Sequence, residues 1–169
     1  AFAGVFPIRA VLRSEKEPAE KTVMVSRFAG TASVIRGVLV TVQHITNRVE
    51  GDKQVSLLTG EVYVDKHKPF LPLYNDAGTD ISLFDLRGER VAATSLPLAE
   101  SPPRPQELVW WICRGGLLDN EWSVGRYLGV VPPFGEYHAE TFLVNPIIGG
   151  IHSGCSGAPV LNVEGQVVG

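Results

Sequence analysis

The segment 154–160, with the sequence GCSGAPV, surrounds one hydroxyl with small residues. Glycine allows backbone conformations that other residues resist, so a chain bent here can point successive N–H groups into one small space. Donors fixed in this way form an oxyanion hole, which stabilises negative charge that develops in a transition state. The segment therefore predicts Ser156 as a nucleophile and the amides of Gly154 and Ser156 as oxyanion donors. The alternative is an ordinary turn before a strand, which short Gly/Ser/Pro runs usually form.

Two upstream residues, His44 and Asp80, could activate this serine. A serine is a poor nucleophile at neutral pH and needs a base, which in turn needs an orienting partner. His44 directly follows a predicted strand, at a position where a rigid sheet can place a reactive group. Asp80 directly precedes an alternating strand, and its competitor Asp76 is predicted to belong to the turn 75–78. The plainer alternatives are a surface or capping histidine and a turn-forming aspartate.

The elements that must position these residues are predicted to be strands. Proline, glycine and β-branched residues are frequent, helical periodicity is missing, and the apolar runs are short and bounded by turn signals. The predicted strands are 5–12, 22–28, 31–35, 38–42, 55–64 and 81–86, followed by 107–113, 123–131, 140–144, 158–163 and 166–168. The charged segment 14–21 is predicted to be a loop. The sequence thus predicts an all-β fold.

The proline-rich segment 101–106 divides these strands into two sets. Proline cannot join the ladder of a central strand. With about six strands before the segment and about five after it, we predict two antiparallel β-barrels of the six-stranded type, because closure of each sheet removes its edges. The predicted N-terminal barrel spans residues 1–100, the linker 101–106, and the C-terminal barrel 107–169.

Composition and charge exclude several classes of function. The chain has 169 residues and a net charge of −3, which provides no basic patch for nucleic acid, so no nucleic-acid partner is expected. No apolar run approaches the length of a membrane span, and residues 1–13 lack the basic start and long apolar centre of a signal peptide. Because the four histidines form no Cys/His pairs at zinc spacing, we expect no structural metal.

The two cysteines, Cys113 and Cys155, do not amount to a disulfide framework. They fit a reducing compartment, or an oxidising one with a single bridge. We favour two buried thiols. A Cys113–Cys155 bridge or redox switch is the alternative.

Three stretches together resemble the chymotrypsin-like (trypsin-like) serine peptidases. The hairpin that ends at 41–44 resembles the histidine motif of that family, 79–83 its aspartate motif, and 154–160 its nucleophile motif. The order His, Asp, Ser is also that of the family and differs from the order in subtilisins and α/β-hydrolases.

The resemblance implies a serine endopeptidase that acts on protein or peptide substrates. It implies a triad of His44, Asp80 and Ser156 in the cleft between the barrels, an acyl-enzyme intermediate, and no metal or cofactor. Because the base must be neutral, the rate should rise with pH through a value of about 7. The alternative function is a catalytically impaired double-barrel module that binds peptides as a scaffold.

The chain departs from the digestive members of the family at one informative position. Those members pair a freed amino terminus with an aspartate directly before the nucleophile, whereas Cys155 stands there in this chain. The resemblance is therefore closer to the bacterial HtrA-type or viral branches, with an activating partner or self-cleavage from a polyprotein left open. Relatives with a cysteine nucleophile place it directly before Gly-x-Pro, which is the place of Ser156, so Cys155 is the weaker alternative nucleophile.

The resemblance also implies substrate-pocket candidates, which are Gly150, Ile151, His152 and Ser153. Gly150 would sit near the pocket floor and carries no acid, so a small or apolar residue is favoured at the cleaved position. His152 would bind an acidic or amide side chain, or else sit exposed. In the family, the strand that pairs with substrate begins at 167–169, so we expect the second barrel to be incomplete.

Overall fold

Two antiparallel sheets form the fold. The computed structural model describes residues 4–14, 24–46, 49–50, 53–60, 71–86, 94–114, 121–135 and 138–169. The elements are β1 (Val5–Ser14), β2 (Met24–Ile35), β3 (Val38–Val42), α1 (Gln43–Thr46), β4 (Val49–Glu50), β5 (Lys53–Gly60), β6 (Leu71–Asp76), β7 (Ile81–Asp85), β8 (Leu108–Cys113), β9 (Glu121–Val131) and β10 (Thr141–Ile148). No helix in these ranges has the length and apolar character needed to cross a bilayer.

The prediction of an all-β fold built of two antiparallel units is confirmed, although neither sheet closes into a barrel within the described residues. The first sheet has seven strands in the order β4-β5-β1-β2-β3-β7-β6, and the second has three in the order β10-β9-β8. The edge strands of the first sheet, β4 and β6, are poor partners for closure. β4 has two residues, and β6 contains Pro72, which has no N–H to donate. The predicted domain boundaries remain predictions.

Most predicted strands of the first set are found, with one merger and several omissions. The strand 38–42 is confirmed with its bounds. The predicted strands 22–28 and 31–35 are one strand, β2, because its pairing with β1 continues through Gly30, which lies opposite Ile8. The elements α1, β4 and β6 were not predicted. Residues 15–23 and 61–64, which include most of the predicted loop, lie outside the described ranges.

The last two predicted strands, 158–163 and 166–168, are wrong. They contribute only isolated bridges, at Leu161 and Val167. The reason is a tight turn between them, in which the Gly165 amide donates to the Asn162 carbonyl at 3.0 Å and the Asn162 amide donates to the Gln166 carbonyl at 2.9 Å. Beyond the turn, the two segments share only a few hydrogen bonds, such as that from the Val168 amide to the Val160 carbonyl at 2.8 Å.

A buried apolar cluster joins the two sheets. Its members are Val5, Leu96, Ile112, Leu161 and Val167, with Ile35 and Trp110 packed against them. Hydrogen bonds across the same region run from the Leu96 amide to the Val34 carbonyl at 2.7 Å and from the Val167 amide to the Pro97 carbonyl at 2.8 Å. Residues from both sheets thus share one core, which holds the sheets in a fixed relation.

Candidate active site

The hairpin of β2 and β3 places His44. Arg36 and Gly37 form its two-residue turn, with φ of 50° and 77°, and positive φ at both positions matches the twist of the flanking strands. β3 then pairs with β7 so that Val42 lies opposite Ile81. This register brings the residues after β3, at the start of α1, beside the residue that precedes β7.

Asp80 is the residue that precedes β7, and its carboxylate contacts His44 twice. Oδ1 accepts from the His44 amide at 2.8 Å, and Oδ2 lies 2.7 Å from the ring nitrogen Nδ1. An ionised carboxylate only accepts hydrogen bonds, so Nδ1 carries the proton and Nε2 has a free lone pair. Asp80 has φ of 56°, a left-handed conformation that aspartate tolerates better than most residues do.

Ser156 lies on the other side of the same imidazole ring. Its Oγ is 3.2 Å from His44 Nε2. Since Nε2 is the acceptor in the tautomer set by Asp80, the hydroxyl donates to the ring. The structure therefore brings the three side chains predicted from the sequence into one hydrogen-bonded line, although His44 and Ser156 are 112 positions apart.

The backbone around Ser156 is tightly constrained. The Ser156 carbonyl accepts from the amide of Thr31 in β2 at 2.8 Å. Gly157 has φ of +87°, and a Cβ there would lie 2.1 Å from the Thr31 carbonyl oxygen and 2.3 Å from Thr41 Oγ1. Only glycine fits this approach of the two chain segments.

The backbone amides of residues 154–156 differ in their hydrogen-bond partners. The Cys155 amide donates to the His152 carbonyl at 3.1 Å. Among the described residues, the amides of Gly154 and Ser156 donate to no other protein group. Gly154 is buried and has φ of 97°. These two amides therefore remain the candidates for the predicted oxyanion donors.

The cysteines are joined, which corrects the prediction of two thiols. Cys113, at the end of β8, forms a disulfide with Cys155, with a Cα–Cα distance of 4.4 Å across 42 positions of sequence. The sequence could not show this proximity, because it depends on how the segment 154–160, here called the nucleophile segment, packs against β8. A sulfur held in a disulfide is not a free thiolate, so the structure disfavours Cys155 as the nucleophile.

A group of three potential metal ligands surrounds this bond. Ligand atoms of Cys113, Cys155 and His152 lie within 4.8 Å of one another. Metal sites use cysteine as the thiolate, and both sulfurs are bonded to each other here. The disulfide therefore removes the two sulfur ligands that such a site would need.

A cavity of about 220 Å³ opens next to Ser156. It is mainly apolar, and its lining residues are Trp111, Val144, Ile151, His152, Cys155, Ser156, Ala158 and Val160. Four of these, Trp111, Val144, Ala158 and Val160, were not predicted. Alternation along β8 identifies Trp111 only as an inward-facing residue, and which cavity it faces depends on the packing of the segments around it.

The four predicted pocket residues have different positions. Ile151 and His152 line the cavity. Gly150 lies behind it, where its carbonyl accepts from Trp111 Nε1 at 3.2 Å and from Ser123 Oγ at 3.1 Å. Ser153 is exposed and is not among the lining residues. The backbone of Gly150 thus supports the wall that Trp111 forms.

The competing acid, Asp76, has a turn-forming role. Its carboxylate accepts from the Thr79 hydroxyl at 2.7 Å and from the Gly78 amide at 3.0 Å. These two donors, the hydroxyl first, hold the pKa of Asp76 below its ordinary value, because they stabilise the ionised form. Asp76 therefore organises the turn that leads to Asp80.

Comparison with known proteins identifies related sequences and folds. Residues 21–169 match the family model of the trypsin-like peptidase domain. A search of curated proteins found no match.

Several proteases are among the solved structures with a similar fold. The active form of the Rv3671c protease from M. tuberculosis superposes with a TM-score of 0.64 at 19% identity, over 99% of this chain and 68% of that one. A serine-to-alanine mutant of Rv3671c in the inactive form gives 0.65 at 18%, over 99% and 76%. The HtrA-type protease AlgW with a tripeptide gives 0.62 at 15%, over 94% and 48%. At these identities the likeness concerns the fold.

Proposed function

We propose that this chain, which belongs to the family of trypsin-like peptidases and is a serine endopeptidase, cleaves peptide bonds through Ser156, His44 and Asp80. The observation that carries the proposal is the continuous line of hydrogen bonds through the imidazole ring. It runs from Asp80 Oδ2 to His44 Nδ1 at 2.7 Å and from His44 Nε2 to Ser156 Oγ at 3.2 Å. This is the arrangement by which a histidine activates a serine hydroxyl.

In the first step, Ser156 Oγ attacks the carbonyl carbon of the scissile bond. His44 Nε2 takes the hydroxyl proton as the C–O bond forms. Asp80 remains ionised and stabilises the imidazolium through the hydrogen bond to Nδ1. The imidazolium then gives the proton to the leaving amine, the C–N bond breaks, and an ester of Ser156 remains.

In the second step, water hydrolyses this ester. His44 removes a proton from the water as its oxygen attacks the ester carbonyl, and returns the proton to Ser156 Oγ when the acid product leaves. The serine, the neutral imidazole and the carboxylate are regenerated. The partly exposed position of His44, whose side chain is 50% accessible, leaves room for substrate and water to reach the ring.

The amides of Gly154 and Ser156 stabilise the tetrahedral intermediates in both steps. Support comes from their positions on either side of Cys155 and from the lack of a protein acceptor for either one within the described residues. Each such donor contributes about 3 kcal/mol to the stabilisation of a transition state in enzymes of this type.

The cavity beside Ser156 receives the side chain of the cleaved residue. Its apolar lining and the absence of a carboxylate among its lining residues favour a small or medium apolar side chain over lysine or arginine. Ile151 and His152 form part of its lining, and the backbone of Gly150 supports the wall at Trp111.

Labelling with a fluorophosphonate tests the proposal, because this reagent reacts with an activated serine. The native protein should be labelled on Ser156, Ser156→Ala should not be labelled, and Ser153→Ala should be labelled like the native protein. Ser153 is a matched control because it is an exposed serine nearby that does not line the cavity. A folded native protein that stays unlabelled would instead support the peptide-binding scaffold.

A further inference from the structure

Thr31 connects the first sheet to the nucleophile segment through its side chain as well as its backbone. It is fully buried in β2, with 0% of its surface exposed. Its hydroxyl donates to the Gly154 carbonyl at 2.8 Å and accepts from the Arg114 amide at 2.8 Å. Its own amide donates to the Ser156 carbonyl at 2.8 Å. We propose that Thr31 is a positioning residue, whose hydroxyl holds the backbone of the oxyanion hole in place.

The geometry of these contacts gives the reason. The two candidate oxyanion donors are the amides of Gly154 and Ser156, and Thr31 binds the carbonyls of those same two residues. A peptide group is planar, so holding the Gly154 carbonyl holds the peptide unit 154–155, which lies between the two units that carry the donor N–H groups. Thr31 thus anchors the backbone at both ends of the segment 154–156.

Of the two residues whose carbonyls Thr31 binds, Gly154 has the less restricted backbone. It has φ of 97° and no Cβ, so its own conformational preferences restrict the flanking peptide groups weakly. Rotation of the central peptide unit 154–155 changes the backbone angles on both of its sides and would turn the N–H groups of Gly154 and Ser156 away from a common point. The hydroxyl of Thr31 opposes that rotation with a buried hydrogen bond to the Gly154 carbonyl.

The disulfide completes the anchorage. Cys155 lies between the two donor amides and is bonded to Cys113, the residue next to Arg114. The Arg114 amide in turn donates to the Thr31 hydroxyl. One closed ring of covalent and hydrogen bonds therefore joins the Thr31 hydroxyl, the end of β8 and the nucleophile segment. Thr31 connects this ring to the first sheet.

A purely structural role predicts a different result from a positioning role. Removal of the hydroxyl leaves the Gly154 carbonyl and the Arg114 amide without this partner, so it lowers thermal stability in either case. Only the positioning role predicts a loss in the chemical step of molecules that remain folded. A donor that acts only on the transition state changes kcat rather than KM.

The test compares Thr31→Val, which keeps the shape of the side chain and removes its hydroxyl, with Thr31→Ser, which keeps the hydroxyl. Below its melting temperature, Thr31→Val should have a kcat about tenfold to a hundredfold lower with KM within about twofold of the native value. Thr31→Ser should recover most of the kcat. Thr31→Ala carries the same expectation and replaces Thr31→Val if that variant does not fold.

Ser33→Ala is the matched control. Ser33 is a buried hydroxyl residue of the same strand, 2% exposed, and within the described residues no hydrogen bond joins it to the nucleophile segment. Its replacement should leave kcat close to the native value. Equal kcat losses in Ser33→Ala and Thr31→Val, or a native kcat in folded Thr31→Val and Thr31→Ala, would overturn the inference.

The inference rests on the proposed function, and fluorophosphonate labelling separates the two failures. A native protein that is labelled on Ser156, together with Thr31 variants of native kcat, would overturn the role of Thr31 and leave the peptidase mechanism in place. A native protein that is not labelled would overturn both.

Discussion

Asp80 holds His44 at two points, the backbone amide through Oδ1 at 2.8 Å and the ring nitrogen Nδ1 through Oδ2 at 2.7 Å. One carboxylate therefore fixes both the start of α1 and the direction of the imidazole ring. The Gln43 amide adds a third contact to the same residue, through the Asp80 carbonyl at 3.0 Å. Three hydrogen bonds to Asp80 thus hold residues 43 and 44, and under the proposed mechanism they orient the base.

Replacement of Asp80 by asparagine should lower kcat by about 10⁴-fold, because an amide group that donates to Nδ1 stabilises the tautomer with its proton on Nε2. That tautomer cannot accept the Ser156 proton. Steady-state hydrolysis of a peptide substrate measures the loss. Asp76→Asn is the control: it alters a nearby acid that organises the turn, and it should retain kcat. Similar losses in the two variants would assign the effect to the turn rather than to the orienting carboxylate.

Gly157→Ala should destabilise the protein strongly and abolish activity. A Cβ at this position would lie 2.1 Å from the Thr31 carbonyl oxygen, and the residue has φ of +87°, so overpacking adds to backbone strain. We expect a loss of about 2–5 kcal/mol in the free energy of unfolding, measured by denaturant titration.

Gly37→Ala separates backbone strain from overpacking as causes of the expected destabilisation in Gly157→Ala. Gly37 has a similar φ of +77°, but a Cβ added to it would have no described neighbour within 4 Å. The substitution should cost only the backbone strain, about 1–2 kcal/mol, and keep kcat. Equal destabilisation at the two positions would show that close contact with Thr31 adds nothing.

Reduction of the Cys113–Cys155 disulfide should lower both stability and kcat. Opening a bridge that spans 42 positions removes about 4 kcal/mol of stabilisation in the chain-entropy account. The kcat should fall because Cys155 lies between the two donor amides. Thermal unfolding and peptide hydrolysis, each with and without dithiothreitol, measure the two effects.

The double variant Cys113→Ala/Cys155→Ala is the control for this experiment. It should resemble the reduced native protein and should not respond to dithiothreitol. If the native protein keeps its full kcat after complete reduction, the bridge has no part in holding the nucleophile segment.

The cavity beside Ser156 should favour apolar residues at the cleaved position, by about tenfold or more in kcat/KM over lysine or arginine. Val144→Phe should shift the preference toward alanine, because Val144 lines the cavity and a larger side chain would fill it. Leu143→Phe is the control, since Leu143 is the next residue along β10, is 37% exposed and does not line the cavity. A set of peptides that differ only at the cleaved residue measures the preference, and a preference for basic residues would contradict this placement.

Local sequence signals were sufficient to find the three side chains that meet at the site. His44 and Asp80 stand at the ends of alternating apolar strands, and Ser156 stands among glycines, so each carries a signal in its immediate neighbours. The distances among them could not be predicted, because they depend on the pairing of β3 with β7 and on contacts between the sheets.

The disulfide, the role of Thr31 and the edges of the first sheet could not be predicted from the sequence, because they depend on tertiary contacts. The pairing of Cys155 with Cys113 depends on how the nucleophile segment packs against the end of β8. Thr31 looks in the sequence like any β-branched strand residue, and nothing in its neighbours indicates a bond to a carbonyl 123 positions away. The edges of the first sheet, as seen in the described part of the chain, likewise depend on which strands pair.

The core shared by the two sheets has a consequence for when the enzyme becomes reactive. Val5 and Ile112 come from opposite sheets and pack in one cluster with Leu96, while His44 follows a strand of the first sheet and Ser156 follows the second. Under the proposed mechanism, a chain in which the two sheets have not yet packed together therefore lacks an activated serine. Peptide cleavage would begin only after both sheets have joined, so folding would protect neighbouring proteins from premature cleavage.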